Sequence, residues 1–399
     1  MQRVLSKYVW EHELFRQQME AQIYTALHSS KTHWDLDETG FLKAGKHSVG
    51  TQRQYTGTAG KTTNCQVAVF LAFSSAKGYA LTDFRLYLPE SWLKDKARCR
   101  KAGIPEGTVF KTKGKLAVEV LSDALAKGYT ADWTTGDCVY GDSRDLRDFL
   151  VEKHQAFVLA MHDDRLCQVL TQPESILIKE AHASVENWET FRIPGSQGWL
   201  PYEWGQLDVV YQGLACQLVF RRRRQEITAF LAWSEQDFSL IEVARAICRR
   251  WDIERCFEEA KQEVGLDEYQ VRKWQSVHRH LILSMRAFWL LVQVKLLCGT
   301  SVPLARRYLR IPWSSHPPDP TNLYFWARFR EWHSLKASLS RWRRRLKTPC
   351  SREECLKCCC SISLGLSGCG SLLDLLKPTE PIFEPGDSQA ASVEPVIRV

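Results

Sequence analysis

The sequence predicts an α/β protein: a mixed sheet flanked by helices and interrupted by a β-rich insertion. Three observations predict it. Between residues 31 and 160 the apolar pattern switches between strand and helix in the order β-β-β-α-β-α-β, as in a layered α/β domain. Residues 161–238 then become alternating, tryptophan-bearing and glycine-punctuated. Helical periodicity returns at about Ser239 and continues, with breaks, to about Leu297.

Taken in order, residues 1–30 read as helix. Met1, Leu5, Tyr8, Val9, Leu14 and Phe15 fall near helical spacing, and no capping signal precedes them. Trp34, Leu36 and Phe41 mark a first strand, followed by a polar, glycine-punctuated run from Lys43 to Lys61. Gln66–Ser74 and Gly78–Leu88 are rich in Val, Phe, Tyr and Leu, and the short Ser-Ala-Lys turn between them predicts a hairpin. Leu116–Ala126 is helical and Gly128 ends it. Ala131–Tyr140 has strand character, Ser143–Lys153 is helical and Ala156–Ala160 is a short apolar strand. Within the insertion, Leu207–Tyr211 and Cys216–Arg221 are strand-like. Residues 239–300 form the helical end of the core, and residues 301–399 a divergent basic and cysteine-rich tail expected to be partly disordered.

Composition narrows the function. A chain of 399 residues with 44% hydrophobic and 11% aromatic residues can bury a substantial core. Its 54 basic and 46 acidic residues leave a net charge of +8, which permits a polyanionic partner without requiring one. The most hydrophobic stretch, Leu281–Cys298, carries Arg286 and Lys295, so it reads as a core helix and not a membrane span. No secretory signal is visible, so the 14 cysteines read as reduced thiols in a cytoplasmic protein. Six of them (Cys350, Cys355, Cys358, Cys359, Cys360, Cys369) cluster in the tail, but no paired spacing or following His suits a zinc or iron–sulfur site.

Three carboxylates carry the chemical hypothesis. Asp37 lies in WDLDETGF at the end of the first strand, Asp137 in TGDCVYG where a later strand runs out, and Glu254 in RRWDIERCFEEAK on a helix beyond the insertion. Strand ends and a nearby helix can bring such groups together. Clustered carboxylates repel unless a cation neutralises them, and their hard oxygens suit Mg²⁺ or Mn²⁺. Two such ions about 3.5–4 Å apart make a clamp for in-line attack on a phosphodiester. Arg250, Glu254 and Lys261 would lie along one helical stripe, placing two cations beside the proposed ligand. Spacing alone leaves open an ordinary helix with i,i+4 ion pairs. Asp35, on the same strand face as Asp37, is a competing candidate, as are Asp132 for Asp137 and Glu258, Glu259 and Glu263 for Glu254.

Other signals are weaker. Gly57-Thr58-Ala59-Gly60-Lys61-Thr62 has too few residues between its glycines for a phosphate-wrapping P-loop. Within the polar run from Lys43 to Lys61, Lys43, Lys46, Arg53 and Lys61 fit contacts to a DNA backbone, or a solvated loop. Arg221–Arg224 could grip DNA or simply be solvated. Trp188, Trp199 and Trp204 fit packing in a small β domain better than stacking on bases.

Several blocks in fixed order then resemble the bacterial insertion-sequence transposases of the DDE superfamily. They are DETGFLKAGKHSVGTQRQYTGTAGKTTNCQVAVFLA, LYLPESW, TGDCVYG and RRWDIERCFEEAKQEVGLDEYQVRKW, and the resemblance covers roughly residues 1–300. It implies a ribonuclease H-like core with the insertion between the second aspartate and the glutamate. It implies that Asp37, Asp137 and Glu254 are catalytic metal ligands for Mg²⁺ or Mn²⁺, two ions per site. Arg250 and Lys261 match the R and K of the family's Y-x2-R-x3-E-x6-K signature, implying contacts to DNA near the site. The signature's tyrosine falls on Ile247, a departure. The implied partners are double-stranded DNA, both element ends and target, and a second copy of the chain as a homodimer on DNA, with no membrane and a nucleoid-associated location.

Members of this group carry a helical DNA-binding domain ahead of the first aspartate. Residues 1–30 resemble only its last part, so the chain is expected to be truncated at its start and possibly frameshifted near its end. Two functions follow: a transposase that cleaves element ends and transfers strands, or a non-catalytic DNA-binding remnant or regulator.

Overall fold

The computed structural model describes residues 2–195 and 198–298. The cysteine-rich tail and the Trp199 side chain therefore lie outside the described residues. The chain divides into two units. The described part of one, residues 2–11, holds α1 (Gln2–Ser6), where Trp10 Nε1 donates to the Val4 carbonyl at 3.0 Å. The other begins at His12 and carries the rest of the described residues.

In this body, α2 (His12–Leu27) precedes β1 (Thr32–Leu42), β2 (Gln52–Thr56), β3 (Lys61–Ser75) and β4 (Gly78–Tyr87). Then come α3 (Glu90–Lys94), α4 (Lys96–Ala102), α5 (Lys113–Ala126), β5 (Trp133–Gly136), α6 (Cys138–Gly141), α7 (Arg144–Glu152) and β6 (Phe157–Ala160). The insertion contributes β7 (Leu166–Val169), β8 (Ser175–Leu177), α8 (Ile178–Ala181), β9 (Glu189–Gly195), β10 (Gly198–Tyr211), β11 (Leu214–Arg223) and β12 (Glu226–Trp233). Three helices close the described chain: α9 (Leu240–Arg249), α10 (Trp251–Val264) and α11 (Trp274–Cys298).

Local chemistry sets many of these boundaries. Thr112 caps α5 by accepting from the Lys115 N–H at 3.3 Å, and Ser143 caps α7. Ser239 opens α9 with Glu242 reaching back to its N–H at 3.2 Å, a capping box. Gly265, with φ of 69°, ends α10 in the left-handed region.

Among the described residues, all the strands join one 12-stranded sheet. Its first half runs β4-β3-β1-β5-β6, with β1, β3 and β4 antiparallel and β5 and β6 parallel to β1. Helices cover it, and this is a ribonuclease H-like mixed sheet. Two clusters make up the core. The larger wraps both faces of the sheet's first half: Leu36, Leu159, Leu218 and Leu231 belong to it with Met19 and Ile23 of α2 and Val120 of α5. So do Ile253 and Phe257 of α10, which packs on the Asp37 face through Phe257 against Phe70. In the smaller, Val158, Val219 and Phe230 point to the opposite face from their strand neighbours Leu159, Leu218 and Leu231, with Trp133 and Trp204, under Val243 and Ile247 of α9. Among the described residues, no helix is long and apolar enough to cross a membrane.

Several elements depart from the sequence reading. Residues 7–11 break the helix expected over 1–30, and α2 packs into the main core. A strand, β2, lies within the run read as a polar loop, pairing Gln52–Thr56 with Lys61–Cys65. The strand expected over Ala131–Tyr140 stops at Gly136, because Asp137 takes the N-cap role and starts α6. The insertion is not a separate β unit: β12 pairs antiparallel with β6, from Trp233↔Phe157 to Phe230↔Ala160, and prolongs the core sheet.

Candidate active site

The sheet register brings the two aspartates together. β1 and β5 pair in parallel from His33↔Trp133 to Leu36↔Gly136, so Asp37 and Asp137 are the next residues along each strand. Asp37 does not end its strand: β1 continues antiparallel to β3 as far as Leu42. Asp137 leaves the sheet as the α6 N-cap, its Oδ1 accepting from the Val139 N–H at 2.9 Å. Asp37 Oδ1 accepts from the Glu38 N–H at 2.7 Å.

Glu254 reaches the same place from α10. Arg250, at the junction of α9 and α10, donates from Nη2 to Glu254 Oε1 at 2.7 Å, and its Nη1 faces Asp37 Oδ2 at 3.5 Å. Burial pulls the guanidinium pKa down, but Asp37, Glu254 and Asp137 together hold it above its ordinary value. Burial pushes the Asp37 carboxyl up to about 8; Arg250 opposes this, and Asp137 and Glu38 add to it. One cation thus lies among three carboxylates contributed by β1, the start of α6, and α10.

Among the described residues, no three His, Cys, Asp or Glu side chains are grouped at metal-holding spacing. The chemistry of the set nevertheless fits a hard divalent cation. Its donors are carboxylate oxygens, and their mutual repulsion already needs a positive charge, which Arg250 supplies.

The competing acids have other partners. Asp35 is fully buried and accepts from the Ser74 and Thr135 hydroxyls, each at 2.7 Å. Asp132 accepts from the Thr32 N–H at 2.6 Å and from its hydroxyl at 2.8 Å. Glu259 takes the Tyr79 hydroxyl at 2.9 Å and Lys295 at 2.6 Å.

The basic residues divide into two groups. Lys261 Nζ donates to Thr39 Oγ1 at 2.6 Å and to Thr58 Oγ1 at 3.1 Å, which ties α10 to β1 and to the β2–β3 turn. Lys46, Arg53 and Lys61 are exposed around that hairpin. Lys43, expected to face DNA, is directed into the fold. Its Nζ donates to the Tyr269 carbonyl at 3.0 Å and lies 3.3 Å from that ring's centroid, and burial lowers its pKa to about 8.

In the insertion, Arg222 lies 3.9 Å over Trp188 and bonds Glu203 at 2.9 Å, while Arg221 lies over Tyr202 and Phe230. Trp204 is fully buried, as the packing reading expected. Ile247 is buried in the α9 core, so no hydroxyl stands at that position of the signature.

The sequence reading missed Glu38 and Tyr140. Glu38 Oε1 accepts from Lys113 Nζ and its Oε2 from the Tyr140 hydroxyl at 3.1 Å. Both lie inside motifs already singled out, DETG and CVYG, but their meeting depends on β1 lying beside α6.

Known proteins show related sequences. A family model described as "DDE superfamily endonuclease" matches residues 1–175, and one described as "Transposase DDE domain" matches residues 110–290. A Microchaete diplosiphon protein named "Probable transposase for insertion sequence element IS701" is 24% identical over 185 residues, covering 42% of this chain and 43% of that protein. The aligned region is therefore less than half the length of that relative. The two models overlap and together run through the fold that carries Asp37, Asp137 and Glu254, and the chain belongs to the DDE superfamily of insertion-sequence transposases.

Proposed function

We propose that this chain is a DNA transposase that cleaves phosphodiester bonds at the ends of an insertion sequence and joins the freed 3′-hydroxyls to target DNA. The observation that carries this reading is the cation-demanding trio of Asp37, Asp137 and Glu254, gathered around Arg250. These three carboxylates would hold Mg²⁺ or Mn²⁺, two ions per site. When bound, the ions activate the attacking oxygen and stabilise the leaving one.

The chain's own residues orient the DNA. Arg250 and Lys261 sit where phosphates would run past the carboxylates, and Lys46, Arg53 and Lys61 extend a positive edge along the β2–β3 hairpin. An insertion sequence has two ends, so two copies of the chain, each holding one end of double-stranded DNA, form the assembly that this chemistry requires.

The test is divalent-ion-dependent nicking of a DNA fragment carrying the element's ends, comparing wild type with Asp137→Ala. Nicking by wild type alone, with both proteins still binding DNA, supports the assignment. Equal cutting by both overturns it. A second reading, a non-catalytic DNA-binding remnant or regulator, is favoured by the engagement of Asp37 and Glu254 with Arg250. DNA binding without cutting by either protein would establish it.

A further inference from the structure

Three-carboxylate sites work only when their ligands are held to within a fraction of an ångström, and groups behind the ligands do that holding. Behind Asp37 and Asp137 the structure shows one continuous set of bonds. The Glu38 N–H fixes Asp37 Oδ1 at 2.7 Å. The Glu38 side chain, 19% exposed, accepts from Lys113 at the first position of α5 and from the fully buried Tyr140 hydroxyl. Tyr140 lies on α6, and its N–H closes a bond of 3.1 Å to the Asp137 carbonyl. Its side chain packs on the end of β5: a Cβ at Gly136 would lie 2.9 Å from Tyr140 Cβ and 3.2 Å from its ring Cδ2. Glu38 and Tyr140 therefore connect the residue beside one aspartate to the first turn of the helix capped by the other. Lys113 pairs with Glu38 and offsets part of the negative charge that Glu38 sets beside Asp37.

We propose that Glu38 and Tyr140 are a positioning pair that sets Asp37 relative to Asp137 for cation binding. The inference rests on the metal-ligand reading given above. Neither residue touches the reacting atoms; each acts through the aspartate next to it.

The experiment measures Mn²⁺ affinity of the full chain without DNA, together with metal-free melting temperature, for Tyr140→Phe, Glu38→Gln and the double variant. Asp37→Ala and Asp137→Ala serve as controls. Tyr140→Phe keeps the ring and its packing and removes only the donor. It is expected to weaken Mn²⁺ binding about tenfold, the usual effect of losing a partner behind a metal ligand. The double variant is expected to weaken binding no more than the stronger single one, because both break the same link. Lower melting temperatures with unchanged Mn²⁺ affinity would make the pair merely structural and overturn the proposal. If the two aspartate controls bind Mn²⁺ as wild type does, the metal-ligand reading has failed instead. If only the aspartate controls lose binding, the positioning pair alone is refuted.

Discussion

Because Arg250 bonds Glu254 and faces Asp37, glutamine in its place leaves three acids together without their counter-charge. Arg250→Gln is expected to lower the melting temperature of the metal-free protein. Millimolar Mn²⁺ should then raise it by more than it raises wild type, because the ion meets no competing guanidinium. Differential scanning calorimetry with and without Mn²⁺ checks this, and an equal rise in both proteins would contradict it. His280 offers a pH test. Its Nε2 faces the carbonyls of Gly265 and Leu266 at 3.2 and 3.3 Å, and burial lowers its pKa to about 4, the carbonyls opposing and Lys43 adding to the fall. Between its ordinary value of about 6.5 and that value, the unfolded chain takes up a proton that the folded chain refuses. Stability from the neutral imidazole is therefore present above that window and lost as pH falls through it. The melting deficit of His280→Gln relative to wild type should be largest above neutrality and should narrow towards pH 4. A deficit independent of pH would show that the imidazole is not held neutral.

At the scale of elements, the β2–β3 hairpin explains why the DETG motif ends in glycine. A Cβ at Gly40 would lie 2.0 Å from Thr56 Oγ1, so only glycine lets the hairpin cross β1 there. Gly40→Ala should cost about 1–3 kcal/mol through overpacking, with part recovered in Gly40→Ala/Thr56→Ala; denaturant midpoints measure both. The same hairpin exposes Arg53 and Lys61. Replacing both with glutamine should weaken DNA binding whatever the sequence and reduce the slope of log K against log salt by about 2, one for each phosphate left without its cation. An unchanged slope would remove the hairpin from the DNA interface. The helical stripe of Arg250, Glu254 and Lys261 was legible from spacing, and the structure uses it: Arg250 bonds Glu254, and Lys261 bridges to Thr39 and Thr58. What spacing could not show is that Arg250 stands at a junction between two helices, with Ile247 of the first facing a different core.

For the whole molecule, the continuous sheet makes the insertion part of the fold's stability. Excising residues 162–227 with a short turn would leave β12 as an open edge and strip Trp204 and Val219 from beneath α9. The shortened chain is expected to aggregate or bind hydrophobic dyes; a cooperative, soluble fold would show that the insertion is independent. The sequence by itself determined much of the alternation of strands and helices, the helix starts near Ser143 and Ser239, and the choice of Asp37, Asp137 and Glu254 as candidates, because periodicity and capping are local and the motifs are contiguous. Strand pairing joins residues far apart in the chain, and no local pattern encodes its register. Only the tertiary structure therefore decided that Asp37 and Asp137 follow the last rung shared by β1 and β5, that Arg250 stands among the three carboxylates, and that Glu38 meets Tyr140. It also decided that Lys43, a charged residue opening a run read as a polar loop, lies against Tyr269, because burial depends on which distant ring the fold brings beneath it.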